Sequence, residues 1–260
     1  MIRVGVFGAA GRMGATVCEA VLGDPGLELV AAVDPMHAGL DLRTVTKVDS
    51  ELRIEASADA LLTCGAQVVV DFTHLDAARE NLAFAAANGI HAVVGTTGFT
   101  DDDLARFGDT FTSSNCLIAP NFAIGAVLMM RFAELAAPWF ETAEVIELHH
   151  DSKFDAPSGT AMHTAERMAA ASDTWAPDPT RTETLANARG ARGPAGIPIH
   201  SVRLRGMVAH QEVLLGTTGQ SLSIRHDSYD RSSFMPGVVL AVHQVANHPG
   251  ITVGLDALLF

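Results

Sequence analysis

The sequence predicts an α/β protein in which a doubly wound parallel-sheet domain is joined to a second, α+β domain with a mixed or antiparallel sheet. Three observations predict it. Over the first half, short apolar runs alternate with stretches of helical periodicity, the order that builds strand-helix-strand units. Those runs are apolar throughout instead of alternating, which suits strands covered on both faces and hence a parallel sheet. After Asn121 the pattern changes to one long helix followed by strands separated by glycine-containing turns.

Taken in order, residues 2–7 and 27–33 are strands, and residues 13–22 between them carry helical spacing. The alternation continues with a strand at 68–72, an alanine-rich helix at 77–87, a strand at 92–94, a helix opened by Asp101, Asp102 and Asp103, and a strand at 117–119. Residues 40–66 mix Thr, Asp and Ser among scattered aliphatics and are expected only to connect. In the second half, a long apolar helix is expected over 124–140, a strand over 144–149 and a helix over 159–171. Residues 173–198, rich in Pro, Gly, Thr and Arg, read as a long loop, and long loops in compact domains are often functional. Strand-like runs at 200–204, 212–215 and 221–225 are expected to pair antiparallel across their turns. A helix over 237–246 precedes a short apolar tail.

The bulk properties agree with two cores: the chain has 260 residues and 48% hydrophobic composition, and domains usually run to ~100–200 residues. A formal net charge of −13 disfavours nucleic acid and anionic membrane surfaces, because a negative protein is repelled by phosphate. It says little about a small anionic substrate, which feels its own pocket. No stretch reaches the ~18 apolar residues of a membrane span. The N-terminal apolar run, broken by Gly5 and Gly8, is too short for a secretory signal. Cys18, Cys64 and Cys116 offer no CxxC spacing for zinc and are odd in number for a disulfide framework. HExxH is absent, so no metal is expected, and the chain reads as cytoplasmic.

Gly8, Ala9, Ala10, Gly11, Arg12 and Met13, followed by Gly14, come after a strand and open a helix. In that context a glycine-rich turn is a dinucleotide-binding, Rossmann-type feature: small residues let the backbone approach a pyrophosphate, and the amides of the helix N-terminus bind its charge. The spacing is GxxGxxG, a departure from GxGxxG. Asp34 ends the second strand, where an acid accepts hydrogen bonds from the adenosine ribose and repels a 2′-phosphate. As the residue before Pro35 it also suits a surface turn. Arg12 and His37 are cations that would counter a phosphate, so NADH is expected to serve and NADPH stays open. The turns Gly95, Thr96, Thr97 and Ala119, Pro120, Asn121, Phe122 follow the predicted fourth and fifth strands, where ligands of open α/β sheets lie, although their composition also suits ordinary turns.

The segment from Glu147 to Ala161 packs His149, His150 and Lys153 at a strand end just before a helix start. Successive strand side chains point to opposite faces, so His149 and His150 should differ in role. One would donate or relay a proton while the other, with Lys153, pairs with an anionic substrate. Pro157, Ser158, Gly159 and Thr160 form a helix start whose amides suit a carboxylate, with Ser158 alternatively a plain N-cap. Two familiar alternatives fail on absent residues. A Tyr-x-x-x-Lys pair is missing, because Tyr229 has Ser233 four residues on, and Cys116 lies inside an apolar strand where a neutral, buried thiol is favoured over a nucleophile.

These residues resemble, end to end, the 4-hydroxy-tetrahydrodipicolinate reductase family of the diaminopimelate and lysine pathway. The most specific part is Glu147-Leu-His-His150 with Lys153 and Asp155-Ala-Pro-Ser-Gly-Thr-Ala161, supported by the turns above and by Asp71-Phe-Thr73. The resemblance implies a reductase of a small dicarboxylate, using NADH, NADPH or both and no metal. It implies His149 as proton donor and acceptor, Lys153 as a second donor, and His150, Ser158, Gly159 and Thr160 as substrate binders. It also implies a homotetramer and a C-terminal return, giving a dinucleotide domain of residues 1–122 and 237–260 and a substrate and oligomerisation domain of residues 123–236.

Overall fold

The apolar run Ile2–Phe7 forms β1 at the centre of a parallel sheet in the computed structural model, which describes residues 1–260. The chain packs as two compact units, residues 1–123 with 231–260, and residues 124–230.

In the first unit β1 leads into α1 (Arg12–Gly23) and β2 (Leu27–Val33). Residues 40–66, expected only to connect, instead contain α2 (Leu42–Thr46), β3 (Ile54–Glu55) and α3 (Asp59–Thr63). Each is anchored by one fully buried aliphatic, Leu42, Ile54 or Leu61. Elements of two to five residues are too short to display a period, which is why the sequence pattern passes over them. Then come β4 (Val68–Asp71), α4 (Leu75–Ala87), β5 (His91–Val94), α5 (Asp101–Thr110) and β6 (Cys116–Ile118). All four residues of β4 and all three of β6 are buried, as continuous apolar runs in a two-sided sheet should be.

The second unit opens with α6, which stops at Ala136 instead of reaching residue 140 and passes into a 3₁₀ turn, Ala137–Trp139. Pro138 is the cause, since it has no N–H to continue the ladder. Next are β7 (Thr142–His149), α7 (Gly159–Ala171), β8 (Ala191–Arg192), β9 (Pro198–Arg203), β10 (Ala209–Thr217) and β11 (Gln220–Ser228). The sheet order is β11-β10-β7-β9-β8. β10 pairs antiparallel with both β11 and β7. β9 does not pair with β10; it lies on the other side of β7 and runs parallel to it. The expectation of antiparallel pairing throughout therefore fails at β9, because the long stretch after α7 returns the chain to the starting end of β7. Helices α6 and α7 pack together and against this sheet.

The chain then rejoins the first unit through α8 (Met235–Gln244), β12 (Ile251–Val253) and α9 (Asp256–Leu259). β12 pairs parallel with β6, completing a seven-stranded order β12-β6-β5-β4-β1-β2-β3. Connections run one way from β1 to β3 and the other way from β4, so the strand order reverses between β1 and β4, where ligands of such sheets bind. No helix is long and apolar enough to cross a membrane.

Candidate active site

Beyond the carboxyl end of β1 the chain turns at Gly8, whose φ of +64° favours glycine. Gly11 closes the turn on the Gly8 carbonyl at 2.9 Å and caps α1 without a side chain to fold back on the first amides. At Gly14 an added Cβ would lie 2.1 Å from the Gly8 oxygen and 2.8 Å from Ala9 Cα, so strand turn and helix approach as only glycine allows. Ala9 is fully buried, while Gly11 and Arg12 are exposed with Met13 beside them. An uncapped helix N-terminus behind a glycine cradle fits a dinucleotide pyrophosphate.

Asp34 ends β2, and its carboxylate accepts from the Met36 amide at 3.1 Å and meets His37 Nδ1 at 3.1 Å. The turn role weighed in the sequence is thus occupied by one of its oxygens. At the end of β4, Asp71 is buried and accepts from the Thr73 amide at 2.8 Å, the Thr73 hydroxyl at 2.7 Å and Asn81 Nδ2 at 2.7 Å. The Thr96 hydroxyl lies 3.2 Å from both Asp71 and the Thr73 carbonyl. The Gly95, Thr96, Thr97 turn is thereby fixed to the end of β4, with Thr96 buried and Thr97 exposed. After β6, Ala119 and Phe122 are buried, Pro120 is exposed, and Asn121 Oδ1 accepts from the Ala123 amide at 2.9 Å. The Phe122 and Phe72 rings pack 5.6 Å apart. The cofactor candidates of the sequence thus fall together along one edge of the parallel sheet. Ala9, Thr96, Ala119 and Phe122 form its buried floor, not its surface.

In the second unit, β7 ends on His149 with Glu147 two residues before it on the same face. Glu147 is wholly buried. Its carboxylate meets His149 Nδ1 at 2.5 Å, accepts from both terminal nitrogens of Arg203 at 2.9 Å, and accepts from the Ser158 amide at 3.2 Å. Burial opposes ionisation, yet the hydrogen bonds from His149, Arg203 and Ser201 outweigh it and hold the Glu147 carboxyl at about 2. His150 lies past the strand end, exposed, with Nδ1 2.8 Å from Ser152 Oγ. Lys153 donates from Nζ to Asp155 at 2.7 Å, which holds the Asp155 carboxyl below its ordinary value.

Ser158 caps α7 by accepting from the Ala161 amide at 3.2 Å, and it is buried. Its hydroxyl and its amide are therefore both engaged, and Gly159, exposed as the first residue of α7, offers the amide with no carbonyl one turn back. Thr160 follows at the second helical position. Sequence reasoning names Glu147 within the motif but gives it no role, and it does not bring in Arg203; the structure sets both against His149 or its partner. Glu147 was legible as the strand neighbour of His149; Arg203 was not, because its place beside His149 depends on the parallel pairing of β9 with β7.

With this geometry in hand, comparison with known proteins places the chain. Residues 2–122 match the family described as dihydrodipicolinate reductase, N-terminus, and residues 125–259 match dihydrodipicolinate reductase, C-terminus. The chain belongs to the dihydrodipicolinate reductase family. Relatives include the 4-hydroxy-tetrahydrodipicolinate reductases of Mycobacterium sp. (strain KMS), 51% identical, and of Mycobacterium ulcerans (strain Agy99), 52% identical, each with 99% of both chains covered. Among solved structures, a dipicolinate-bound dihydrodipicolinate reductase from Paenisporosarcina sp. TG-14 is 42% identical with a TM-score of 0.88, covering 99% of both chains. An amine dehydrogenase from Mycobacterium smegmatis, 16% identical with a TM-score of 0.67 and covering 98% of this chain and 95% of its own, shares the fold.

Proposed function

We propose that this chain reduces 4-hydroxy-tetrahydrodipicolinate, by way of the dehydrated cyclic imine, to tetrahydrodipicolinate in the diaminopimelate route to lysine, with NADH or NADPH as reductant. Family membership supports the substrate class. The observation that carries the reading is local: the Ser158 amide bound to Glu147 ties the start of α7 to the strand end that presents His149. A proton-transfer group and an anion-ready helix start are thereby held as one piece.

The nicotinamide, when bound, supplies hydride. Gly8, Ala9, Ala10, Gly11, Arg12 and Met13 would hold its pyrophosphate, Asp34 the adenosine ribose, and the turns at Gly95, Thr96, Thr97 and Ala119, Pro120, Asn121, Phe122 the nicotinamide side. The Asp34 carboxylate favours NADH, while exposed Arg12 supplies positive charge for a 2′-phosphate. In the second unit the α7 start at Ser158, Gly159 and Thr160, with His150, binds substrate carboxylate; its dipole adds about 0.3–1 kcal/mol. Lys153 exchanges Asp155 for the second carboxylate and, as the second donor the resemblance implies, would resupply His149 with the single proton that the reduction consumes. His149 delivers a proton from Nε2 to the ring carbon next to the one that receives hydride, completing the reduction. General acids of this kind contribute roughly 10²–10⁴-fold. On this reading the first unit is the dinucleotide domain and residues 124–230 the substrate domain; a cytoplasmic homotetramer is supported by the family resemblance.

The test supplies substrate made in situ from pyruvate and aspartate semialdehyde by the preceding synthase and follows NADH or NADPH oxidation. The expected result is oxidation well above the synthase-free control, with His149→Gln lowering kcat about 10²–10⁴-fold at unchanged nucleotide affinity. No oxidation by folded, NADH-binding protein overturns the function, and equal loss of turnover and nucleotide affinity in the variant overturns the role of His149.

A further inference from the structure

The face of β7 that carries His149 has an unusual neighbourhood. A strand period of two places Val145, Glu147 and His149 on one face, and the register with β9 and β10 sets Ile199 and Val213 beside Val145, Ser201 and Gln211 beside Glu147, and Arg203 and Ala209 beside His149. The layer is apolar at Val145 and becomes ionic two residues on, although Glu147 is fully buried. A buried carboxylate is retained only when its charge is matched and its oxygens are bonded. Both oxygens are: Arg203 grips them as a fork, the Ser158 amide adds a third donor and His149 Nδ1 a fourth. Arg203 is itself pinned, donating to the Asp155 and Val202 carbonyls. Its Nε, however, is buried without a partner. An ion pair that leaves a buried donor unbonded is a poor stabilising device, since an apolar layer would do as well.

We propose that Glu147 and Arg203 are positioning residues for His149: Glu147 holds the imidazole proton on Nδ1 so that Nε2 faces the substrate, and Arg203 keeps Glu147 ionised and in place. The inference rests on the reading of His149 as the proton donor. The hydrogen bond fixes the tautomer, since the ring nitrogen facing a carboxylate must carry hydrogen. The other charges nearby are Lys153 and Asp155 in the following turn, and the exposed Arg205–Asp151 pair. The β10 register sets Ala209 beside His149 and Gln211 beside Glu147, and Gln211 donates to Thr164 of α7; none of these is charged.

The test combines nitrogen NMR of the histidine rings of the full-length protein, with His149 assigned by the signal lost in His149→Gln, and separate measurement of kcat, KM and nucleotide affinity. In the unsubstituted protein neutral His149 should carry its proton on Nδ1. Glu147→Gln should mix the tautomers of the neutral ring, since a carboxamide can face Nδ1 with its oxygen or its NH2, and should lower kcat more than it raises KM. Arg203→Met, which lets the buried Glu147 take up a proton and become a donor, should weaken the Nδ1–H signature in the same direction. Simple damage to the fold would not redistribute the ring proton while nucleotide affinity holds. Should either of those variants fail to fold, Arg203→Lys, which keeps the charge and loses the fork, should still weaken the Nδ1–H signature. An unchanged tautomer in the folded variants overturns the proposal. Signals that respond as expected, alongside full turnover by His149→Gln, overturn the proton-donor reading instead.

Discussion

Asp34 holds a turn in the structure and, on the proposed reading, would also hold a ligand. Its carboxylate caps the turn beginning at Pro35 through the Met36 amide and holds His37, all through one oxygen. On the proposed reading, the second oxygen is the group that would set any preference for NADH over NADPH. Asp34→Ala should therefore have two separable effects: a stability loss of about 0.5–2 kcal/mol from the missing cap, and a fall in the ratio of NADH to NADPH efficiency as the repulsion of a 2′-phosphate disappears. Steady-state kinetics with both nucleotides and a thermal melt measure the two independently. A lower melting temperature with an unchanged ratio would leave Asp34 only its turn role. The residue types at this site were readable in the sequence because each carries its own chemistry: a glycine where backbone must approach, an acid at a strand end, two imidazoles and an ammonium before a helix. Which partner occupies each polar atom was not readable. Ser158 has its hydroxyl on the Ala161 amide and its own amide on Glu147, so Gly159, not Ser158, presents the amide at the start of α7.

At the scale of elements, legibility followed length and period. Strands β1 and β2 and helix α7 announce themselves because six or more residues share one pattern, whereas β3, with two residues, has no pattern to read. The strand itself was expected at β9 but its parallel pairing was not, because a strand's residues do not record its direction, which is decided by where the preceding loop delivers the chain. One junction is sharp enough for a quantitative prediction. α1 meets the turn after β1 at Gly14, where an added Cβ would fall 2.1 Å from the Gly8 carbonyl oxygen, a backbone atom that cannot swing aside. Gly14→Ala should cost about 1–3 kcal/mol through overpacking and, by pushing the helix N-terminus off the turn, weaken nucleotide binding at least tenfold in a fluorescence titration. Gly23, at the other end of the same helix, has nothing within 4 Å of its added Cβ. Gly23→Ala is the control and should leave binding intact, with stability unchanged or raised by roughly 0.5–1 kcal/mol. Equal behaviour of the two variants would mean the close approach is not what the turn requires.

Across the whole molecule, charge bears on stability in two ways, of which one acts alone from neutrality down to about pH 5 and both act together below it. The net charge of −13 with an isoelectric point near 5.1 means that acidification from neutrality first relieves self-repulsion. Against this stand carboxylates whose folded forms bind protons less readily than the unfolded chain. Glu147 is held at about 2 from an ordinary 4.5, its burial outweighed by His149, Arg203 and Ser201. Asp103 is held low by Arg79, and Asp227 by Arg225. Glu134 is held low by Arg167 and Arg131 despite its burial. A folded pKa below the unfolded one contributes stability that is complete above the unfolded value and is lost as pH falls toward the folded value. These pairs therefore contribute fully at pH 5 and progressively less from about 4.5 downward. Glu147 and Asp103 make the largest contributions, because their carboxyls are held furthest below the unfolded values. Melting temperature should stay level or rise slightly from pH 7 to about 5, then fall steeply between about 4.5 and 2. In Glu147→Gln the fall should be shallower from a lower starting point, since one of the depressed carboxyls is gone. A melting temperature that keeps rising below pH 4, or a variant whose acid limb parallels the parent's, would mean that self-repulsion and not these ion pairs governs the acid response.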